Sequence, residues 1–238
     1  MKADGKPETT DRTAGDRNDR PAEALANPYR RFLLGAEIGM VFLFLELAIW
    51  APNREGRNHW SAVAALTIFA LVLIEVLVGR CSLRRLGLGL PKLANAGVVL
   101  GTGLAMASLL MLLAWSMGGE IPANPQWFNL HSAWGYAIWA LLQEFILQSF
   151  FFTRLEEGLG GSTAVWVAAT LFAAAHLPNP VLTTATLIGS LLFCEMFRRY
   201  RSLYPLAIVH AVLGLSLALT VPDSILHHMR VGIGYLRY

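Results

Sequence analysis

Charge is what this chain has least of. Only 15% of its 238 residues are Asp, Glu, Lys or Arg, where a soluble domain of ordinary composition carries about a quarter. Cysteine is nearly missing as well. Cys81 and Cys194 lie far apart and match no metal-binding or redox spacing, which also argues against a disulfide. The net charge of +3 comes without a basic face interleaved with aromatics, so nothing points to nucleic acid. No internal repeat of useful strength is present, and an inverted-repeat transporter gains no support.

What the chain does have is apolar length. Hydrophobic residues make up 55% of it and its mean hydropathy is +0.49. The charges fall in short clusters between apolar runs of about 17 to 25 residues, the length that spans a hydrocarbon core at ~1.5 Å per residue. Seven runs read this way: about 32–50, 61–79, 93–117, 134–153, 162–177, 181–197 and 203–221. The expected fold is therefore all-α, a polytopic membrane bundle of about seven transmembrane helices, with six to eight as the range. The fifth run ends in Leu177-Pro178-Asn179-Pro180, a helix stop.

Residues 1–30 form a separate zone rich in Asp, Arg, Thr, Gly and Pro. Such a segment cannot bury enough surface to offset its ordering entropy and is predicted to be a disordered polar tail. It is too polar and too long for the n-region of a signal peptide, so residues 31–238 are read as the transmembrane domain. Orientation follows from Lys and Arg. With the N-terminus inside, fifteen basic residues fall on the inner side and four (Arg54, Arg57, Arg230 and Arg237) on the outer side. This bias predicts a cytoplasmic N-terminus and an outer C-terminus, in a bacterial inner membrane. The outer loop around 118–133 carries Trp127, Phe128 and Trp134, suited to the membrane interface.

An ionisable side chain at the centre of a span costs at least about 2.5–3.5 kcal/mol, so each one needs a reason. Glu195 has Arg198 and Arg199 at i+3 and i+4, and Glu75 lies near Arg80; both read as surface ion pairs. Glu37 and Glu46 are nine residues apart, on opposite faces of one helix, and read as interhelical hydrogen-bonding groups.

Glu144 keeps different company. Gln143, Glu144 and Gln148 put polar groups into an otherwise apolar span, with Glu144 and Gln148 one turn apart. His176 follows Phe172 by four residues, and His210 sits seven residues into the last span. A carboxylate and two imidazoles from three helices suit water activation, with the carboxylate as base and the imidazoles orienting water and stabilising an oxyanion. The same groups also suit a polar network that joins helices.

The run Gln143-Glu144-xxx-Gln148, then Leu171-Phe172-Ala-Ala-Ala-His176-Leu-Pro-Asn179, then Leu203-xxxxxx-His210-Ala211 resembles the CPBP family over about 134–221. These are intramembrane proteases typified by CAAX prenyl endopeptidases and bacteriocin-processing, Abi-type proteins. Their pattern is Glu-Glu-xxx-Arg, Phe-xxx-His and His-xxx-Asn on successive membrane helices. The resemblance implies a glutamic intramembrane endopeptidase in which Glu144, His176 and His210 are catalytic and Gln143, Gln148, Phe172 and Asn179 support them. It implies a membrane-anchored or lipidated protein substrate and no cofactor. One Glu and two His also suit Zn²⁺ as ligands, but none lies in a metalloprotease helix motif.

Three positions depart from the family pattern. Gln143 stands for the first Glu, Gln148 for Arg, and Gly214 for Asn. An amide cannot accept a proton at neutral pH, so Gln143 cannot be the base. Losing one carboxylate together with the Arg is electrostatically consistent. Two readings follow: a protease rebuilt around Glu144, or a catalytically silent relative that binds a membrane or lipid-modified partner. Beyond this core, His227 and His228 read as interfacial, and Gly232 and Gly234 as a turn. The orientation has a direct test. Reporter fusions at residues 20 and 238 are expected to report opposite compartments, and a shared compartment would contradict seven spans.

Overall fold

The computed structural model describes residues 28–51, 63, 66–68, 70–71, 73–74, 82–118 and 129–237. The polar tail up to residue 27, most of the run 61–79 with Glu75 and Arg80, and the loop residues Trp127 and Phe128 lie outside them. Every regular element among the described residues is helical. Helix α1 (Pro28–Trp50) and α2 (Leu93–Ser116) precede α3 (Leu130–Glu144), which continues through a π-helical stretch (Phe145–Phe152) into α4 (Thr153–Leu159). Then come α5 (Gly161–Ala174), α6 (Pro180–Tyr200) and α7 (Leu203–Thr220). A C-terminal segment of short turns closes the order, with α8 (Asp223–Leu226) and α9 (Gly232–Leu236).

Four of these helices, α1, α2, α6 and α7, are long and apolar enough to cross a membrane, and α5 is a shorter apolar helix. All-α architecture is thus as the composition implies. The helix expected at 134–153 is longer than its apolar run, reaching from 130 to 159, because both ends find polar partners. Asn129 caps the start, its side chain accepting from Ser132 N at 2.9 Å. At the other end Glu156 and Glu157 meet arginines and need not leave the helix. Gly160 then reverses the chain at φ 83°, a conformation that suits glycine.

The bundle packs with small residues at close approaches and leucines outward. Helices α2 and α3 both lie along α7, α5 lies along α6, and α1 meets α4. At Gly103 of α2 a Cβ would sit 2.4 Å from Val209 of α7, so only glycine allows this approach. Phe150, Phe152, Phe197 and Leu206 are fully buried in the core, with the Phe152 and Phe197 rings edge-on at 5.7 Å. Outside, α1 exposes Phe32, Met40, Leu43 and Leu47, and α2 exposes Leu104, Leu109 and Leu112. Helices that are apolar all round are those that face lipid. The chain is an integral membrane protein.

One end of the bundle is held by ion pairs. Arg154 is buried, its Nε donating to Glu37 Oε1 of α1 at 2.9 Å, and its guanidinium lies 3.7 Å over the Phe150 ring. Glu157 accepts from both Arg30 and Arg85, and Glu156 from Arg201. Glu195 pairs with Arg198 at 2.7 Å and Arg199 at 2.5 Å, as the sequence spacing implies. Glu37 makes its bond between helices, also as expected, whereas Glu46 accepts from Trp50 Nε1 of its own helix at 3.1 Å. Leaving a buried arginine without its carboxylate typically costs about 3 kcal/mol or more. Glu37→Ala is therefore expected to lower the unfolding temperature in detergent clearly, and Glu37→Leu combined with Arg154→Met to recover most of the loss. Equal unfolding temperatures for Glu37→Ala and the parent would show that this pair does not dock α1.

Candidate active site

Glu144 closes α3 and Gln148 lies four residues on, inside the π-helical stretch; both are completely buried. A carboxylate held there must have its oxygens satisfied. Gln148 Nε2 donates to Glu144 Oε2 at 3.2 Å. His210 of α7 meets the other oxygen, with Nδ1 2.9 Å from Oε1. The amide thus does with a neutral donor what a cation would otherwise do beside Glu144.

The second histidine arrives by a different route. Helix α5 ends at Ala174, and a turn carries His176 beside Phe172, with ring centroids 4.8 Å apart. His176 Nδ1 bonds the Phe172 carbonyl oxygen at 2.7 Å. A carbonyl only accepts, so Nδ1 carries the hydrogen and Nε2 the lone pair. His210 bonded through Nδ1–H to a carboxylate has the same tautomer. The Phe172 ring also meets His210 edge-on at 6.0 Å, so one aromatic ring touches both imidazoles. Each histidine is fixed through Nδ1 and keeps Nε2 as its acceptor nitrogen.

Both histidines face one cavity of about 820 Å³, walled largely by leucine, isoleucine and phenylalanine and reaching from α1 to the C-terminal segment. Gln143 also lies on its wall. Glu144 does not: it is closed off behind His210, about 100° around the helix from Gln143. Of the seven residues singled out from the sequence, six gather here: Gln143, Glu144, Gln148, Phe172, His176 and His210. Asn179 stands apart. Its Oδ1 caps α6 by accepting from Leu182 N at 3.1 Å, and its Nδ2 donates to Leu226 O at 2.9 Å and Arg230 O at 3.1 Å. That is a structural role.

His227 and His228 belong to the C-terminal turns, where His228 pairs with Asp223 at 2.6 Å and the His227 ring lies 4.4 Å from Tyr235. Among the described residues no three His, Cys, Asp or Glu side chains converge as metal ligands would. Among the polar residues of the cavity wall, Tyr136 is not singled out by the sequence. Tyr136, seven residues before Gln143 and so on the same stripe of α3, lies against Gly214 of α7. The glycine was the available signal, though nothing local said which side chain would fill its space.

Apolar helices around a buried carboxylate–imidazole pair and a shared cavity define a membrane-embedded helical protein with a polar site in its interior. Residues 125–216 match the profile of the family described as Type II CAAX prenyl endopeptidase Rce1-like, a protease family. Over this stretch, which takes in α3 to α7 as far as His210 and Gly214, the chain is similar to the CAAX protease (CPBP) family. No curated protein and no solved structure matches the chain.

Gln148 supplies one of the two hydrogen bonds to the Glu144 carboxylate, and such a bond contributes about 1.5–3 kcal/mol. Gln148→Leu is expected to destabilise by that order, read as a lower unfolding temperature in detergent. No change would show that Glu144 does not depend on the amide.

Proposed function

We propose that this protein is an intramembrane endopeptidase that hydrolyses a peptide bond in a membrane-anchored or lipidated protein, without a metal and with no role for nucleic acid. The observation that carries the proposal is the Glu144–His210 hydrogen bond at the wall of a cavity that also holds His176. A water molecule held by the two Nε2 atoms loses a proton to His210 as its oxygen adds to the scissile carbonyl carbon. The C–O bond forms and the carbonyl electrons move to oxygen. His176 orients the water by accepting its second hydrogen. His210 then gives its proton to the departing nitrogen as the C–N bond breaks, leaving an acid and an amine. Both Glu144 oxygens are engaged and closed off from the cavity, so the first proton goes to His210, with Glu144 as its counter-ion, in place of direct transfer to Glu144. A carboxylate behind an imidazole fixes its tautomer and stabilises the imidazolium that forms.

We place the protein in a bacterial inner membrane, and the Lys and Arg distribution supports a cytoplasmic N-terminus there. The competing reading, a silent relative that only binds such a partner, draws on Gln143, an amide on the cavity wall where the family pattern has a carboxylate.

Glu144→Gln separates the two. It keeps an acceptor for His210 and is cheaper to bury, so the protein should fold, yet turnover of membrane proteins in the native host should fall about 10²–10⁴-fold, the usual contribution of acid–base catalysis. Undiminished processing by this variant would overturn the mechanism. A chelator such as 1,10-phenanthroline is expected to leave cleavage unchanged, and inhibition reversed by added Zn²⁺ would overturn the metal-free assignment.

A further inference from the structure

An interior glycine costs a helix about 1 kcal/mol relative to alanine, and Gly214 sits well inside the 18-residue α7. The cost has a local reason. A Cβ at position 214 would lie 1.9 Å from Tyr136 Oη, 2.5 Å from its Cζ and 2.6 Å from its Cε1. The tyrosine of α3 thus occupies the space that any side chain at 214 would take, and its hydroxyl ends there. Both residues lie on the cavity wall. Gly214 is also four residues after His210, on the same face of α7 and about 6 Å along it. The hydroxyl therefore ends about one turn along α7 from His210, on the wall of the same cavity.

We infer that the Tyr136 hydroxyl is the donor that stabilises this oxyanion, reaching from α3 into the position one turn beyond His210 that Gly214 leaves open. The inference rests on the proposed peptidase reading and adds a catalytic residue to it. A phenol suits the task. It is a neutral donor, so placing it in an apolar cavity costs far less than a cation, and a donor fixed before reaction needs no reorganisation when charge develops. Its ring is held by α3–α7 packing. Glycine at 214 and tyrosine at 136 then form one unit, in which a donor delivered by one helix stands where the other carries no side chain.

The test uses the full-length protein in liposomes, with S-farnesylated and single-span transmembrane fluorogenic peptides as probes. The phosphinate analogue of each peptide mimics its tetrahedral intermediate. Tyr136→Phe is expected to lower kcat about 10²–10³-fold, the usual loss for one oxyanion donor, with KM within about twofold. It should abolish the preference for the phosphinate over the parent peptide. Tyr136→Ala empties the space, and adding Gly214→Asn to it should raise kcat at least tenfold by returning a donor from the other helix. Wild-type cleavage with unchanged kcat in Tyr136→Phe overturns the inference and leaves the peptidase reading standing. If Tyr136→Phe loses its fold, the Ala–Asn pair decides, and activity no higher than Tyr136→Ala alone overturns the inference. A wild-type protein that cleaves none of the probes and shows no preference for the phosphinate analogues overturns the peptidase reading, and the inference falls with it.

Discussion

The Glu144–His210 hydrogen bond is the contact around which the interior of this protein is arranged. A carboxylate inside a lipid-embedded bundle has no water to solvate it, so every polar atom near it has to be supplied by the chain. His210 and Gln148 supply both oxygens from two different elements. The bond therefore does two things at once. It ties α3 to α7, which pack along each other, and it sets the tautomer of an imidazole on the cavity wall. Folding and the readiness of the site are consequently the same event on that side of the bundle.

The distribution of polarity follows from this constraint. Toward lipid the helices present leucine and phenylalanine, and toward the interior a small set of hydrogen-bonded groups. The remaining charge is concentrated at one end, where Glu37, Glu156 and Glu157 receive Arg154, Arg201, Arg30 and Arg85. These pairs join α1, α4, the loop before α2 and the start of α7. They clamp the end of the π-helical rod that carries Glu144 and Gln148. A π-helical stretch inside a longer helix commonly marks a working site, and here it runs directly from Glu144 into the clamp.

Much of this was legible in the sequence because lipid imposes length. The runs 32–50, 93–117, 181–197 and 203–221 became helices with ends within a few residues of those positions. Glu144, His176 and His210 stood out because ionisable groups in apolar runs demand a reason. Other features were not legible, each for a physical cause. Gln143 and Glu144 are adjacent, and which of them faces the cavity is a matter of helix rotation that tertiary packing decides. The segment from Phe145 to Phe152 is uniformly apolar, so its composition does not distinguish π winding from α. Tyr136 depends on Gly214, a partner on another helix 78 positions away, and no local pattern couples them. The resemblance places Asn179 among the supporting residues, and its amide is spent on backbone.

That amide has a wider consequence. Asn179 starts α6 through its oxygen and grips the carbonyls of Leu226 and Arg230 through its nitrogen. One side chain therefore joins the turn bearing His176 to the C-terminal segment that forms part of the cavity rim. A mutational scan scored only by loss of function would rank position 179 beside the histidines, although its side chain bonds nothing but backbone. Place in the cavity and sensitivity to replacement are decoupled here, since in this turn the scaffold amide and the cavity-lining imidazole lie three positions apart.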